Sequence, residues 1–228
     1  MKDVIILFLL LVSLLTFNCT RQDFSESITI SKVNRDIRID GFLKDKVWSS
    51  IDSIQGLNAP WTLKCFDQTT FKCFYTENLF CFSFNVVDET IITYDFEDEL
   101  TVAKGDRVEL FFSASSDLKQ YYCVEIDPIG NILDYSTQYY RKFDEDWDFN
   151  QLIVATQYTS QGYVVEGCIS LSELKQLGIE DSFYLGVFRA DFRSEKMDDV
   201  VWYSWIEPKS IKPDFHIPSA FGNCHFVK

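Results

Sequence analysis

The chain has 228 residues, of which 46% are hydrophobic and 25% charged, a globular balance that excludes intrinsic disorder and suits one ordinary domain. Asp and Glu number 35 against 21 Lys and Arg, and the net charge of −14 excludes a nucleic-acid phosphate backbone as partner. Aromatic residues reach 16%, which favours strands, and two histidines leave no room for a multi-imidazole mechanism.

The first segment reads as a leader. Lys2 precedes a short apolar run through residues 4–17, fewer than the roughly 20 residues needed to cross a bilayer. Leu15-Thr-Phe-Asn-Cys19 resembles a bacterial lipoprotein signal, although Asn18 stands where that motif usually has a small residue. The resemblance implies removal of residues 1–18, acylation of Cys19, and a membrane contact through that lipid. Residues 19–27 would be a polar tether, and the protein would sit at the bacterial cell envelope, facing the periplasm or on the outer membrane.

From residue 28 to 228 the pattern is one domain of short strands separated by turns. Residues 71–75 and 79–86 flank Thr76-Glu-Asn78 as a hairpin. Residues 107–113 alternate, with Val108, Leu110 and Phe112 on one face and Arg107, Glu109 and Phe111 on the other. Further strands are expected at 121–126, 132–135, 152–157, 163–169, 184–192 and 200–206. Helix is limited to a short piece around Leu43, Val47 and Ile51, and to a second opened by Ser170-Leu-Ser-Glu173, a capping-box pattern, and closed at Gly178. The fold class is therefore all-β, an antiparallel β-sandwich with one or two short helices.

Six cysteines follow Cys19, none in a C-x-x-C pair, so a zinc ribbon is not expected. Most lie in apolar strands, where a thiol behaves as a small hydrophobe. Cys73 and Cys81 are placed symmetrically about a hairpin, the one pairing the sequence suggests. No G-x-S-x-G and no nucleophile–histidine pattern occurs, so the sequence offers no catalytic constellation.

The order of motifs resembles family 9 carbohydrate-binding modules and their DOMON-like relatives. It runs from Ile39-Asp-Gly41 and Trp48 through Gly105-Asp-Arg-Val-Glu-Leu-Phe-Phe112 and Glu125-Ile-Asp-Pro-Ile-Gly130. Gly162-Tyr-Val-Val-Glu166, Phe188-Arg-Ala-Asp191 and Pro213-Asp-Phe-His-Ile-Pro-Ser-Ala-Phe-Gly222 complete it. The resemblance implies a DOMON-like or jelly-roll-like sandwich that binds an oligo- or polysaccharide without cleaving it, beside partner glycoside hydrolases in glycan breakdown. Members of the family often hold structural calcium. Members clamp a sugar between two rings; here the first position falls at Ala103-Lys104, which has no ring, and the second at Phe215. Glu109 matches the family's sugar-binding acid. The neighbouring Arg and Asn positions fall near Glu125 and Asp127.

The expected ligand-binding set is thus Glu109, Phe215 and Asp106, with Trp147 and Tyr139 as exposed rings, and Trp61 and Tyr140 as further candidates. Trp48, Trp202 and Trp205 are assigned to the core, and Glu166 with Arg189 to a buried ion pair. Asp144-Glu-Asp-Trp-Asp148 reads as a solvated acidic loop. One stacked ring instead of two predicts weak binding of a single sugar. Two other readings are a haem- or redox-binding DOMON-like domain, for which Met197 is the sole methionine beyond Met1, and a hydrolase whose acids would be Glu109 and Glu125.

Overall fold

The computed structural model describes residues 26–62 and 68–227. The expected leader, Cys19 with the first tether residues, and Cys65 lie outside them. Thirteen strands are present among the described residues: β1 (Ser27–Ser31), β2 (Ser53–Gln55), β3 (Thr70–Tyr75), β4 (Leu79–Val87), β5 (Arg107–Ser113), β6 (Tyr121–Ile126) and β7 (Ile132–Gln138), then β8 (Lys142–Asp144), β9 (Leu152–Thr159), β10 (Gly162–Ser170), β11 (Ser182–Phe192), β12 (Val200–Ser204) and β13 (Gly222–Val227). Two short helices, α1 (Lys46–Ser50) and α2 (Leu171–Gln176), and two 3-10 turns, Glu99–Lys104 and Pro218–Ala220, complete it.

The strands form two sheets. The larger runs β1-β13-β11-β5-β6-β7-β8, with β12 paired to the far half of β11; the smaller runs β2-β3-β4-β10-β9. All pairings are antiparallel except β1 with β13. This is the expected all-β sandwich. Of the strands missed in the sequence, β2 and β8 have three residues each, while β1 and β13 alternate, with Ile30 and Cys224 buried in the core, and are joined only by their parallel pairing across almost the whole described chain.

Period-two alternation assigns the faces. Phe80, Phe82 and Phe84 of β4, Tyr163 and Val165 of β10, Val108, Leu110 and Phe112 of β5, and Leu185 and Val187 of β11 all meet between the sheets. The opposite faces are covered as well. Val47 and Trp48 of α1 close the outer side of the small sheet over Phe74, Cys81 and Cys168. A second outer cluster, on the large sheet, holds Phe111, Tyr121, Tyr135, Phe188, Phe215 and Phe221.

Cys73 and Cys81 therefore do not face each other. Cys73 packs into the inter-sheet core, whereas Cys81 packs outward, opposite Cys168 in the β4–β10 register. The five described cysteines are all buried free thiols. The expected Glu166–Arg189 pair is also absent, because the two residues serve different sheets. Glu166 accepts the N–H groups of Asp40 and Gly41, each at 2.8 Å, and the indole N–H of Trp48 at 2.7 Å, and so docks the N-terminal segment and α1. Arg189 instead donates to Asp88 at 2.7 Å and lies 3.6 Å from Asp191. The capping box at α2 forms by half: Ser170 accepts the Ser172 N–H, but Glu173 turns away and accepts those of Asn150 and Gln151.

Candidate functional site

Every residue of β5 is buried, so both faces of this strand need cover. The inner face has the small sheet. The outer face is covered by residues 213–221, which lay Phe215 flat on Phe188, with ring centroids 4.1 Å apart and 8° between planes. That cover is incomplete at the Arg107 end of the strand. There a cavity of about 370 Å³ remains, lined by Arg107, Glu109, Glu125, Arg141, Trp202, Asp214 and His216, with Pro213 and the edge of Phe215.

The floor is charged. Glu109 on β5 and Glu125 on β6 are directly opposed across the ladder, a register in which like charges repel. Arg107, two residues from Glu109 on the same face, lies between them. Its Nε donates to Glu125 and stands 3.1 Å from Glu109 Oε1, an ion-pair distance without hydrogen-bond alignment. Its Nη1 donates to the Ala103 and Gly105 carbonyls, which anchors the guanidinium to the 3-10 turn. Glu125 also accepts the Tyr135 hydroxyl at 2.8 Å. One guanidinium thus serves two carboxylates. Burial, then the neighbouring Glu125 charge, push Glu109 up to about 8 despite Arg107. Near neutral pH Glu109 is a carboxylic acid, able to donate as well as accept.

The walls come from three elements. Trp202 on β12 is half-buried, and the Arg107 guanidinium sits 5.4 Å from its ring centroid. Asp214 and Arg141 form the lip: Arg141 Nη2 reaches Asp214 at 3.1 Å, and the Tyr140 hydroxyl donates to the same carboxylate at 2.6 Å. His216 closes the base, with Nδ1 3.1 Å from the Tyr121 hydroxyl. Burial, then Arg141, push this imidazole down to about 3, so it stays neutral.

Of the expected ligand-binding residues, Glu109 and Phe215 reach the cavity, but Phe215 cannot stack on a sugar. It is 5% exposed, one face lies on Phe188, and Trp61 and Trp202 flank it with centroids 5.7 Å away. Asp106 is placed elsewhere: fully buried, it accepts the N–H groups of Ile92 and Phe192, both at 2.6 Å, and ties the turn before β5 to the end of β11. Trp147 packs on Tyr122 and Phe149 against the inter-sheet core. Trp61 donates its indole N–H to the Ser210 carbonyl. Tyr139 is exposed beside Tyr140, outside the cavity lining. Trp48 and Trp205 are core, as expected, whereas Trp202 is not. Its signal was available: in β12 Val201 and Tyr203 point inward, so Trp202 must point out.

Two carboxylate groups have the spacing of a cation site. In the first, Asp88, Asp106 and Asp191, two acids already pair with guanidinium groups, Asp88 with Arg189 at 2.7 Å and Asp191 with Arg193 at 2.5 Å and Arg189 at 3.6 Å. That group does not fit calcium. In the second, Glu99, Asp134 and Asp148 bring oxygens within 4.8 Å of one another, and burial pushes Asp134 up to about 6 and Glu99 upward. Asp134 Oδ2 accepts the Phe149 N–H at 2.6 Å, and no ion pair engages the three acids among the described residues, so these hard oxygen donors fit calcium. Asp148 belongs to the acidic run expected to be solvated. Met197 is 58% exposed in a polar loop.

A two-sheet sandwich with a walled, polar-floored cavity on one outer face has the build of a ligand-binding module. Residues 39–228 match the family model described as carbohydrate family 9 binding domain-like, and the chain belongs to that family. Its fold is similar to that of a Bacteroides uniformis protein assigned to carbohydrate binding, with TM-score 0.69 and 18% identity over 88% of this chain and 99% of the other. It is also similar to a family 9 carbohydrate-binding module from Caldicellulosiruptor kristjanssonii, solved with cellotriose (TM-score 0.61, 17% identity, 88% and 93% coverage) and with glucose (0.60, 18%, 88% and 95%). No curated protein matches the chain in sequence.

Two outcomes follow from this geometry. Phe215→Ala should destabilise the domain by about 3–5 kcal/mol, as for other buried rings, in a urea titration without ligand; a loss below about 1 kcal/mol would mean the ring is not core. Glu109, neutral in the fold and ionised when unfolded at neutral pH, contributes stability that is full below its ordinary value of 4.5 and lost as pH rises through about 8. Between pH 5 and 8, Glu109→Gln should therefore flatten the fall in unfolding free energy, and an unchanged slope would contradict the assignment.

Proposed function

We propose that the chain binds glycan in the cavity over β5 and β6, without cleaving it. The observation that carries the reading is the half-buried Trp202 standing over a floor of Arg107, Glu109 and Glu125. An aromatic face matches the C–H face of a sugar ring, and the polar floor matches its hydroxyls. Arg107 Nη2 has no protein acceptor among the described residues and supplies a donor, as does neutral Glu109. Trp202 takes over the ring that Ala103 lacks.

Geometry also supports binding over hydrolysis. A glycosidase sets its two acids on either side of the scissile bond. Glu109 and Glu125 lie side by side on one floor and share Arg107, while Asp214, the acid at the lip, is held by Tyr140 and Arg141. The envelope location rests on the Leu15–Cys19 motif alone; a diacylglyceryl adduct on Cys19 in the intact mass of membrane-extracted protein checks it, and an unmodified cysteine refutes it. Work beside glycoside hydrolases is part of the same reading.

Calorimetric titration with glucose, xylose and their oligomers tests the binding. Trp202→Ala should weaken the best ligand at least tenfold, about 1.4 kcal/mol, with an unchanged far-UV spectrum. Unaltered affinity in that variant, or sugar turnover by the wild-type chain, would overturn the proposal.

A further inference from the structure

The cavity ends at the Asp214–Arg141 lip, and the surface beside that lip carries exposed aromatic rings. Tyr139, Tyr140 and Phe143 are 47%, 49% and 41% exposed and lie within five residues on the β7–β8 hairpin. We propose that this hairpin is a second sugar subsite, so that the site reads an oligosaccharide chain extending outward from the cavity. The inference rests on the glycan-binding reading above and adds to it where the next unit sits.

Continuity with the cavity is the first support. Phe143 meets His216 edge-on, with centroids 5.2 Å apart and 78° between planes, and His216 lines the cavity base. Tyr140 and Arg141 both bind Asp214, which lines the lip. The aromatic surface therefore begins where the cavity ends. In the strand order, β12 with Trp202 and β8 with Phe143 lie on opposite sides of the cavity-bearing pair β5–β6. A chain crossing the sheet would meet Trp202 first and the hairpin next.

The second support is that the rings are held while exposed. Ladder pairs Ser136↔Asp144, Thr137↔Phe143 and Gln138↔Lys142 fix the hairpin, and the Tyr139 N–H donates to the Leu118 carbonyl at 3.1 Å. Phe143 is further set edge-on against Tyr135 at 5.4 Å. Rings held this way need little ordering when a ligand arrives, which keeps the entropic cost of binding low. The lip charges pair with each other, Arg141 with Asp214, so the path between the subsites suits an uncharged chain.

The test uses the full chain with glucose and cellotriose, and with xylose and xylotriose, by calorimetry. For whichever sugar type binds, the trisaccharide should bind about tenfold or more tighter than its monosaccharide. Phe143→Ala should cut that ratio to about threefold or less, and Phe143→Trp, which restores a ring, should recover it. A monosaccharide bound without any gain from chain length, or a gain that survives Phe143→Ala, overturns the second subsite and leaves the cavity reading intact. No binding of any of the four sugars overturns both. Self-association that Phe143→Ala abolishes, with no effect of chain length, would instead make the hairpin a protein contact.

Discussion

The structure turns on a strand that must be covered twice. β5 has large apolar side chains on its inner face and Arg107, Glu109 and Phe111 on its outer face, and all of them are out of solvent. The inner set is satisfied by packing against the small sheet, as in any sandwich. The outer set needs a lid, and residues 213–221 supply one by stacking Phe215 on Phe188 and bringing His216 over Phe111. Because Phe215 is committed to that lid, it cannot also present a face to ligand. What the lid leaves uncovered is the cavity at the Arg107 end of the strand.

That uncovered end holds the charges for a physical reason. Two carboxylates and one guanidinium are tolerable at such burial only when paired, and the register that opposes Glu109 to Glu125 leaves one carboxyl short of a full partner. The shortfall appears as a neutral Glu109 with an unbonded buried oxygen. A stability-optimised strand would put an apolar residue there. A buried polar set beside a half-buried aromatic wall separates this cavity from the other hollows of the surface.

The sequence disclosed the sandwich because alternation and turn residues are local signals, and nearly every strand of five residues or more could be placed from them. Glu109 was legible as a polar residue on a buried strand, and the outward face it shares with Arg107 followed from the same alternation. Relations between sheets were not legible. Glu166 and Arg189 both interrupt apolar strands and look like a pair, yet one docks Trp48 outside the small sheet and the other closes on Asp88. Phe215 is buried and Trp202 only half-buried, the reverse of the expectation, for a related reason: whether a ring lies under or over a neighbour depends on how a distant loop folds back. The lip formed by Arg141 and Asp214, 73 residues apart, had no sequence signal at all.

The central claim is that ligand enters between Trp202 and the Arg107–Glu109 floor. Of the five tryptophans in the chain, Trp48 and Trp205 are buried cores, Trp147 packs on the inter-sheet core and Trp61 is held by Ser210. Indole N–H resonances in a nitrogen–proton correlation spectrum resolve each of them during a titration with oligosaccharide. The account predicts that the Trp202 indole shifts most, while those of Trp48 and Trp205 stay fixed. Saturable binding that leaves Trp202 unmoved and shifts Trp147 instead would place the glycan on another face and contradict it.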